Sequence, residues 1–124
     1  DRDCVEHLIL PGGMPGAKNL DESHITDELI EEVLRKGGRL SAICAAPMIL
    51  GRLGLLKNKT AVCYPGFEDE LTGAKIPKRA KVAVSENIIT AAGMGVATEF
   101  GLAIVEKIRS KETAEKIAKA IRFK

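Results

Sequence analysis

Cys44 stands between two apolar segments and is the residue whose position best suits chemistry. Residues 40–43 read as a short buried strand, and Ala45–Leu53 is helix-compatible with Pro47 in the first turn. A cysteine at such a sharp strand-to-helix turn has the geometry of a nucleophile elbow, although the Gly-x-Ser-x-Gly consensus is absent. The amides and dipole of a helix N-terminus favour the thiolate, which is the reactive form. The alternative is a small buried cysteine that only packs.

Backbone amides next to Cys44 are candidate donors for an oxyanion. One is the N–H of Ala45, and a second would come from the Gly12-Gly13 loop that follows the first predicted strand. Tyr64 and the glycine-rich turn at Gly93 also follow predicted strands. They are therefore expected near Cys44, at the rim formed by the carboxyl ends of the strands, and are candidate pocket residues. The alternative for Tyr64 is a structural tyrosine whose ring is buried and whose hydroxyl makes a hydrogen bond.

The other titratable candidates carry weaker signals. His7 lies inside a predicted strand and His24 in the first turn of a helix, so the sequence places neither histidine to act as a base for Cys44. Cys4 and Cys63 read as incidental or packing thiols. Three cysteines without Cys-x-x-Cys spacing indicate neither a disulfide framework nor a zinc site. The glycine-rich loops lack the phosphate-binding and dinucleotide consensus, so we expect no metal and no cofactor.

Strands and helices alternate along the chain, which predicts one α/β domain over residues 1–124 with a mostly parallel sheet and helices on both faces. Ser85-Glu86-Asn87 separates the two strands of a predicted hairpin. Ser23 is expected to cap the first helix, and Gly54 to end the helix that follows Cys44. The predicted strands are Val5–Leu10, Leu40–Ile43, Thr60–Cys63, Lys81–Val84 and Ile88–Ala91. The predicted helices are one with Ile25, Leu29, Ile30, Val33 and Leu34 on one face, Ala45–Leu53, Val96–Arg109, and one with Ala114, Ile117, Ala118 and Ile121 on one face.

Composition excludes several functional classes. A net charge of +2, three Phe, one Tyr and no Trp give a nucleic-acid site little to use. Lys75, Lys78, Arg79 and Lys81 form a basic cluster that reads as a solvated loop. The apolar runs are shorter than the roughly 18 residues of a membrane span, so we expect no membrane association. Unpaired thiols favour a reducing, cytoplasmic location.

Four motifs together resemble those of the ThiJ/PfpI superfamily, in its DJ-one branch. They are Leu-Pro-Gly-Gly-Met-Pro-Gly at 10–16, Ala-Ile-Cys-Ala-Ala-Pro at 42–47, Gly-Leu-Leu-Lys at 54–57 and Cys-Tyr-Pro-Gly at 63–66. The segment Glu-Phe-Gly-Leu-Ala-Ile-Val at 99–105 is also similar to the family's late helix. The resemblance implies a flavodoxin-like three-layer α/β/α sandwich, usually a homodimer. It also implies that Cys44 is an oxidation-sensitive nucleophile beside the Gly13 and Ala45 amides.

The resemblance further implies a function. It points to a glutathione-independent glyoxalase or deglycase that acts on small dicarbonyls such as methylglyoxal, or on glycated proteins. The alternative is a non-enzymatic oxidative-stress sensor or redox-regulated chaperone that works through oxidation of Cys44. Ala45 stands where the protease-like branches carry histidine, which disfavours proteolysis, and the superfamily's name is no evidence of a thiamine role.

The family has a strand, a helix and a strand before the Pro-Gly-Gly loop, and that region supplies a glutamate paired with the cysteine. No counterpart is present in this sequence, so we expect the chain to be the C-terminal portion of the family domain. The missing N-terminal segment is then an expected partner. A chain without the glutamate could also be inert and expose an apolar sheet edge.

Overall fold

The computed structural model describes residues 2–123, which form one four-stranded sheet with helices on both faces. The strands are β1 (His7–Leu10), β2 (Arg39–Ile43), β3 (Val82–Ser85) and β4 (Ile88–Ala91). The helices are α1 (Gly16–Asp21), α2 (His24–Arg35), α3 (Pro47–Arg52), α4 (Ala97–Ile108) and α5 (Lys111–Ala120). Short 3₁₀ turns cover Arg2–Cys4, Glu68–Glu70 and Met94–Val96.

The sheet has the strand order β1-β2-β4-β3. β1, β2 and β4 are parallel neighbours, and β3 runs antiparallel to β4. The predicted hairpin is confirmed, because Ser85 pairs with Ile88 across a loop of Glu86 and Asn87. The predicted mostly parallel α/β sheet is confirmed as well. The carboxyl ends of β1, β2 and β4 therefore meet at one edge, where ligands bind in such sheets.

Each face of the sheet packs against its own helices, because successive side chains of a strand point to opposite faces. Helices α1, α2 and α3 cover one face, and α4 covers the other, with α5 packed on α4. Buried members of the first cluster include Leu10, Ala17, Ile30, Leu40, Ala42, Ile49 and Ile88. Buried members of the second are Ile89, Ala91, Val96, Phe100 and Ile104. Within residues 2–123 no helix is long and apolar enough to cross a membrane.

The predicted strand Thr60–Cys63 is wrong: only Thr60 forms an isolated bridge, with Lys75. The amides of Thr60 and Val62 donate to side-chain hydroxyls, Ser85 Oγ at 3.3 Å and Thr90 Oγ1 at 3.0 Å. Buried amides must find acceptors, and here hydroxyls of the hairpin replace the carbonyls of a neighbouring strand. The segment is therefore buried as the apolar run suggested, but it does not extend the sheet.

Helix ends differ from the prediction in two places. Ser23 lies at the N-cap of α2, but its hydroxyl makes no capping hydrogen bond. The helix predicted from Ala45 begins only at Pro47. Pro47 has no N–H to donate. The Met48 amide donates to the carbonyl of Ala45, three residues earlier, which is the spacing of a turn, and residues 44–46 form that turn. Gly54, with φ +77°, follows the end of α3 as predicted.

A half-buried histidine links β1 to β2. His7 Nε2 lies 2.6 Å from the hydroxyl Oγ of Ser41, which is fully buried. His7 Nδ1 is also buried and has no hydrogen-bond partner among residues 2–123. Burial, and secondarily the positive charge of Arg39, lower the pKa of His7 from its ordinary value. The folded chain therefore favours the neutral imidazole.

This pair predicts that the free energy of unfolding falls as the pH is lowered from about 7.5 to about 5.5. The unfolded chain binds a proton at the ordinary histidine pKa of 6.5, whereas folded His7 binds it only at lower pH. Between those two values the unfolded state holds more protons, so acid shifts the equilibrium towards unfolding. Urea denaturation at several pH values should show a shallower pH dependence for His7→Gln. His24→Gln, at an exposed position on α2, should keep the wild-type slope, and equal slopes in all three proteins would contradict the assignment.

Candidate functional site

Cys44 is held in a strained turn at the carboxyl end of β2. Its φ of +65° lies in the left-handed region that side chains other than glycine rarely adopt. Two backbone hydrogen bonds hold it there: Cys44 N–H donates to the carbonyl of Ala91 at 2.9 Å, and the amide of Tyr64 donates to the Cys44 carbonyl at 2.8 Å. Strained residues of this kind persist only where the surrounding structure holds them, and in proteins they cluster at active sites.

The Gly12-Gly13 loop lies directly against this turn. A Cβ on Gly12 would lie 2.5 Å from Cys44 Cβ and 2.7 Å from the Ile43 carbonyl oxygen, so only glycine fits. The same position is 3.5 Å from the amide nitrogen of Ala45. Gly13 has φ +86° and turns the chain into α1. The loop and the cysteine turn, far apart in sequence, therefore form one rim.

Two amides at this rim are unoccupied. Within residues 2–123, neither Ala45 nor Gly13 donates its N–H to a protein acceptor. Ala45 is 2% exposed, so its amide is shielded from most solvent. Amides of this kind can stabilise an oxyanion that forms next to the cysteine. Because α3 begins three residues after Cys44, the cysteine does not lie at the N-terminus of the helix as the sequence suggested, but beside the amides of a turn.

Tyr64 and Gly93 form the other wall of the rim. The Tyr64 ring is half exposed, and a Cβ on Gly93 would lie 3.6 Å from its Cδ2 atom, so the ring packs on the glycine. Both residues line a shallow depression of about 240 Å³. The two glycine-rich turns predicted to meet near Cys44 therefore do so, Gly12 directly and Gly93 through Tyr64.

The other two cysteines lie in different surroundings. Cys63 is 7% exposed. Burial, and then the negative charges of Glu68 and of an ionised Cys44, raise the pKa of its thiol to about 11, although the Phe67 amide opposes this by hydrogen bonding. Cys4 is exposed in the first 3₁₀ turn. Cys44 is the partly exposed cysteine beside unoccupied amides.

Among residues 2–123 no histidine or carboxylate is hydrogen bonded to Cys44. His7 is in register with Arg39, five residues before Cys44, which places it about 16 Å away along the sheet. His24 is exposed on α2. In the described part of the chain no group of three or more His, Cys, Asp and Glu residues is arranged to hold a metal ion. The backbone hydrogen bonds of Ala91 and Tyr64 to Cys44 could not be predicted from the sequence, because residues of any type can make them.

Comparison with known proteins places this geometry in a family. The chain is 33% identical over 120 residues to Protein dj-1beta of Drosophila melanogaster, covering 96% of this chain and 64% of that protein. It is 33% identical over 115 residues to the Caenorhabditis elegans protein named glutathione-independent glyoxalase DJR-1.2, covering 92% and 61%. The solved structure of Toxoplasma gondii DJ-1, described as oxidized, superposes with a TM-score of 0.88 at 34% identity, covering 97% of this chain and 66% of that one.

The chain thus spans less than two thirds of the length of each of these relatives. Residues 2–107 match the sequence profile described as DJ-1/PfpI family. With that match over most of its length, and a fold shared with solved DJ-1 structures, the chain belongs to the DJ-1/PfpI family.

Proposed function

We propose that Cys44 is the nucleophile of a glutathione-independent glyoxalase reaction on small dicarbonyls such as methylglyoxal, or of the related deglycation of their protein adducts. The observation that carries the proposal is the left-handed turn at Cys44, with the unoccupied Ala45 amide next to it and the Gly12-Gly13 loop packed against it. Family membership and the name of the C. elegans relative support the reaction class.

The reaction needs no external oxidant or reductant. The Cys44 thiolate adds to the aldehyde carbon of methylglyoxal, and the amides at the rim stabilise the oxygen anion of the resulting hemithioacetal. A proton then leaves the carbon that bears sulfur and is returned to the neighbouring carbon, which converts the aldehyde into a thioester and the ketone into an alcohol. Water cleaves the thioester, releases lactate and restores the thiol.

The proton transfer needs a base, and among residues 2–123 no histidine or carboxylate is hydrogen bonded to Cys44. The family resemblance assigns this role to a glutamate that precedes the Pro-Gly-Gly loop. In this chain the thiol and the oxyanion donors would supply addition and charge stabilisation, and the assay below measures whether they suffice for turnover.

A second candidate is a redox sensor in which Cys44 is oxidised to a sulfinate whose oxygens accept hydrogen bonds from the same amides. The partial exposure of Cys44 favours it, and the solved T. gondii relative is described as oxidized. A redox-regulated chaperone would use the same modification. Turnover of methylglyoxal separates the enzyme from both.

The enzyme proposal predicts that the full chain forms lactate from methylglyoxal without glutathione and that Cys44→Ala reduces the rate to background, because the nucleophile is lost. Lactate is quantified enzymatically after a fixed incubation. Cys4→Ala removes an exposed thiol far from the rim and should retain the wild-type rate. Lactate formation that survives Cys44→Ala, or its absence from the wild-type chain, would refute the proposal.

Limiting hydrogen peroxide should add two oxygens selectively at Cys44 and leave Cys63 unmodified. The Cys63 pKa rises from 9.0 to about 11, which lowers its thiolate fraction about 100-fold at neutral pH, and the thiolate is the form that reacts. Peptide mapping by mass spectrometry locates the added oxygens. Equal oxidation of Cys63 and Cys44, or oxidation of Cys4 alone, would argue against a reactive elbow cysteine.

Gly12→Ala should disrupt the rim, because the new Cβ would overlap Cys44 Cβ and the Ile43 carbonyl. We expect a loss of stability of about 1–3 kcal/mol from this overpacking, and slower alkylation of Cys44 by iodoacetamide. Gly16→Ala is the matched control, because no atom lies within 4 Å of its added Cβ. Thermal unfolding and alkylation rates that do not distinguish the two variants would show that Gly12 does not support the turn.

A further inference from the structure

A cavity of about 610 Å³ opens beside the rim and is lined by three cations that the proposed reaction does not use. They are Lys78, Arg79 and Lys81, and none of them forms an ion pair or side-chain hydrogen bond with any residue of 2–123. Other cations of the same chain do find partners, as Arg52 does with Asp21 and Glu70. The three cations of the cavity are therefore not ion-paired with any carboxylate of residues 2–123.

Backbone hydrogen bonds fix the segment that carries these cations at both ends. At its start, Lys75 accepts from the Ala61 amide at 3.0 Å and donates to Lys59 at 2.8 Å. At its end, the carbonyl of Lys81 accepts from the Ala92 amide at 2.9 Å. Lys78 and Arg79 form the turn between these anchors. The segment is therefore anchored at both ends, while Lys75, Lys78, Arg79 and Lys81 stay exposed to solvent, as expected for a solvated loop.

The cavity and the cysteine turn share their supports. The carbonyl of Ala91 accepts a hydrogen bond from the Cys44 amide, and the amide of the next residue, Ala92, donates to the carbonyl of Lys81. Pro65, Lys81 and Ala92 line both this cavity and the depression against Tyr64 and Gly93. A ligand in the cavity would thus lie next to the rim without needing Cys44.

Charge decides which ligand fits. Besides its three cations the cavity lining carries one carboxylate, Glu68, which already accepts a hydrogen bond from the Gly66 amide at 2.7 Å. The lining charges therefore sum to +2. A phosphate monoester carries about −1.5 to −2 near pH 7, and arginine binds its oxygens in a bidentate fashion. A volume of this size holds a small organic molecule rather than a bare ion.

We propose that this cavity is a binding site for small organic phosphates, with Arg79, Lys78 and Lys81 as its anion-binding side chains. The site is separate from the proposed Cys44 chemistry. A phosphate ester without a carbonyl group should occupy it even where the cysteine is absent.

The test is titration of the full chain with glycerol 3-phosphate, followed by calorimetry and amide chemical shifts at low ionic strength. We expect a dissociation constant in the millimolar range or tighter. Arg79→Gln and Lys81→Gln should each weaken binding by about fivefold or more, because each removes a charged donor. Glu68→Gln should tighten binding, since it removes the one negative charge and keeps the acceptor for Gly66.

Three controls make the outcome decisive. Lys75→Gln removes a charge from the same basic cluster but outside the cavity, so its effect should stay below about twofold. Glycerol, the uncharged counterpart, should not bind. Cys44→Ala should bind as the wild type does, which separates failure of this site from failure of the proposed enzyme. No binding by the wild type, or equal weakening by Lys75→Gln and Lys81→Gln, would overturn the proposal.

Discussion

The left-handed backbone of Cys44 is the constraint on which the rest of the site depends. A non-glycine residue in this region stores about 1–3 kcal/mol of strain and persists only where its surroundings hold it. Here Ala91 accepts from its amide and Tyr64 donates to its carbonyl, so both polar backbone groups of the strained residue are satisfied. The strain turns the chain away from β2 before α3 begins and leaves the Ala45 amide without an internal partner.

Both contacts are possible because of the order of the strands. β2 lies between β1 and β4, so the Gly12 loop arrives from one neighbour and Ala91 ends the other. Parallel pairing brings these ends to one edge of the sheet, and burial of Leu40, Ala42 and Ile89 holds the strands in register. The same edge holds the cationic segment, because Ala92 directly follows the residue that binds Cys44. One short strand end thus supports both the cysteine turn and the basic cavity.

The three thiols lie in different environments within one fold. Cys63 is buried in the core cluster beneath the sheet face covered by α1, α2 and α3, and burial raises the pKa of its thiol to about 11. Cys4 is exposed in a 3₁₀ turn near Gly37, Gly38 and the start of β2. Only at Cys44 do partial exposure, backbone strain and unoccupied amides coincide among the described residues. The three side chains are chemically identical, so these differences come from their positions in the fold.

Local sequence determined the features that depend on neighbouring residues. Ser85 to Asn87 set the hairpin, Gly54 ended α3, and the apolar face from Ile25 to Leu34 defined α2, because turn chemistry and helical periodicity act over a few residues. The motifs around Cys44 also identified the family and the rim. Tertiary structure decided the rest. The amides of Thr60 and Val62 donate to hydroxyls of the hairpin, and His7 lies against Ser41. Three cations of the basic cluster line a cavity. These contacts join groups that are distant in sequence, and a local sequence pattern does not predict which distant groups come together in the fold.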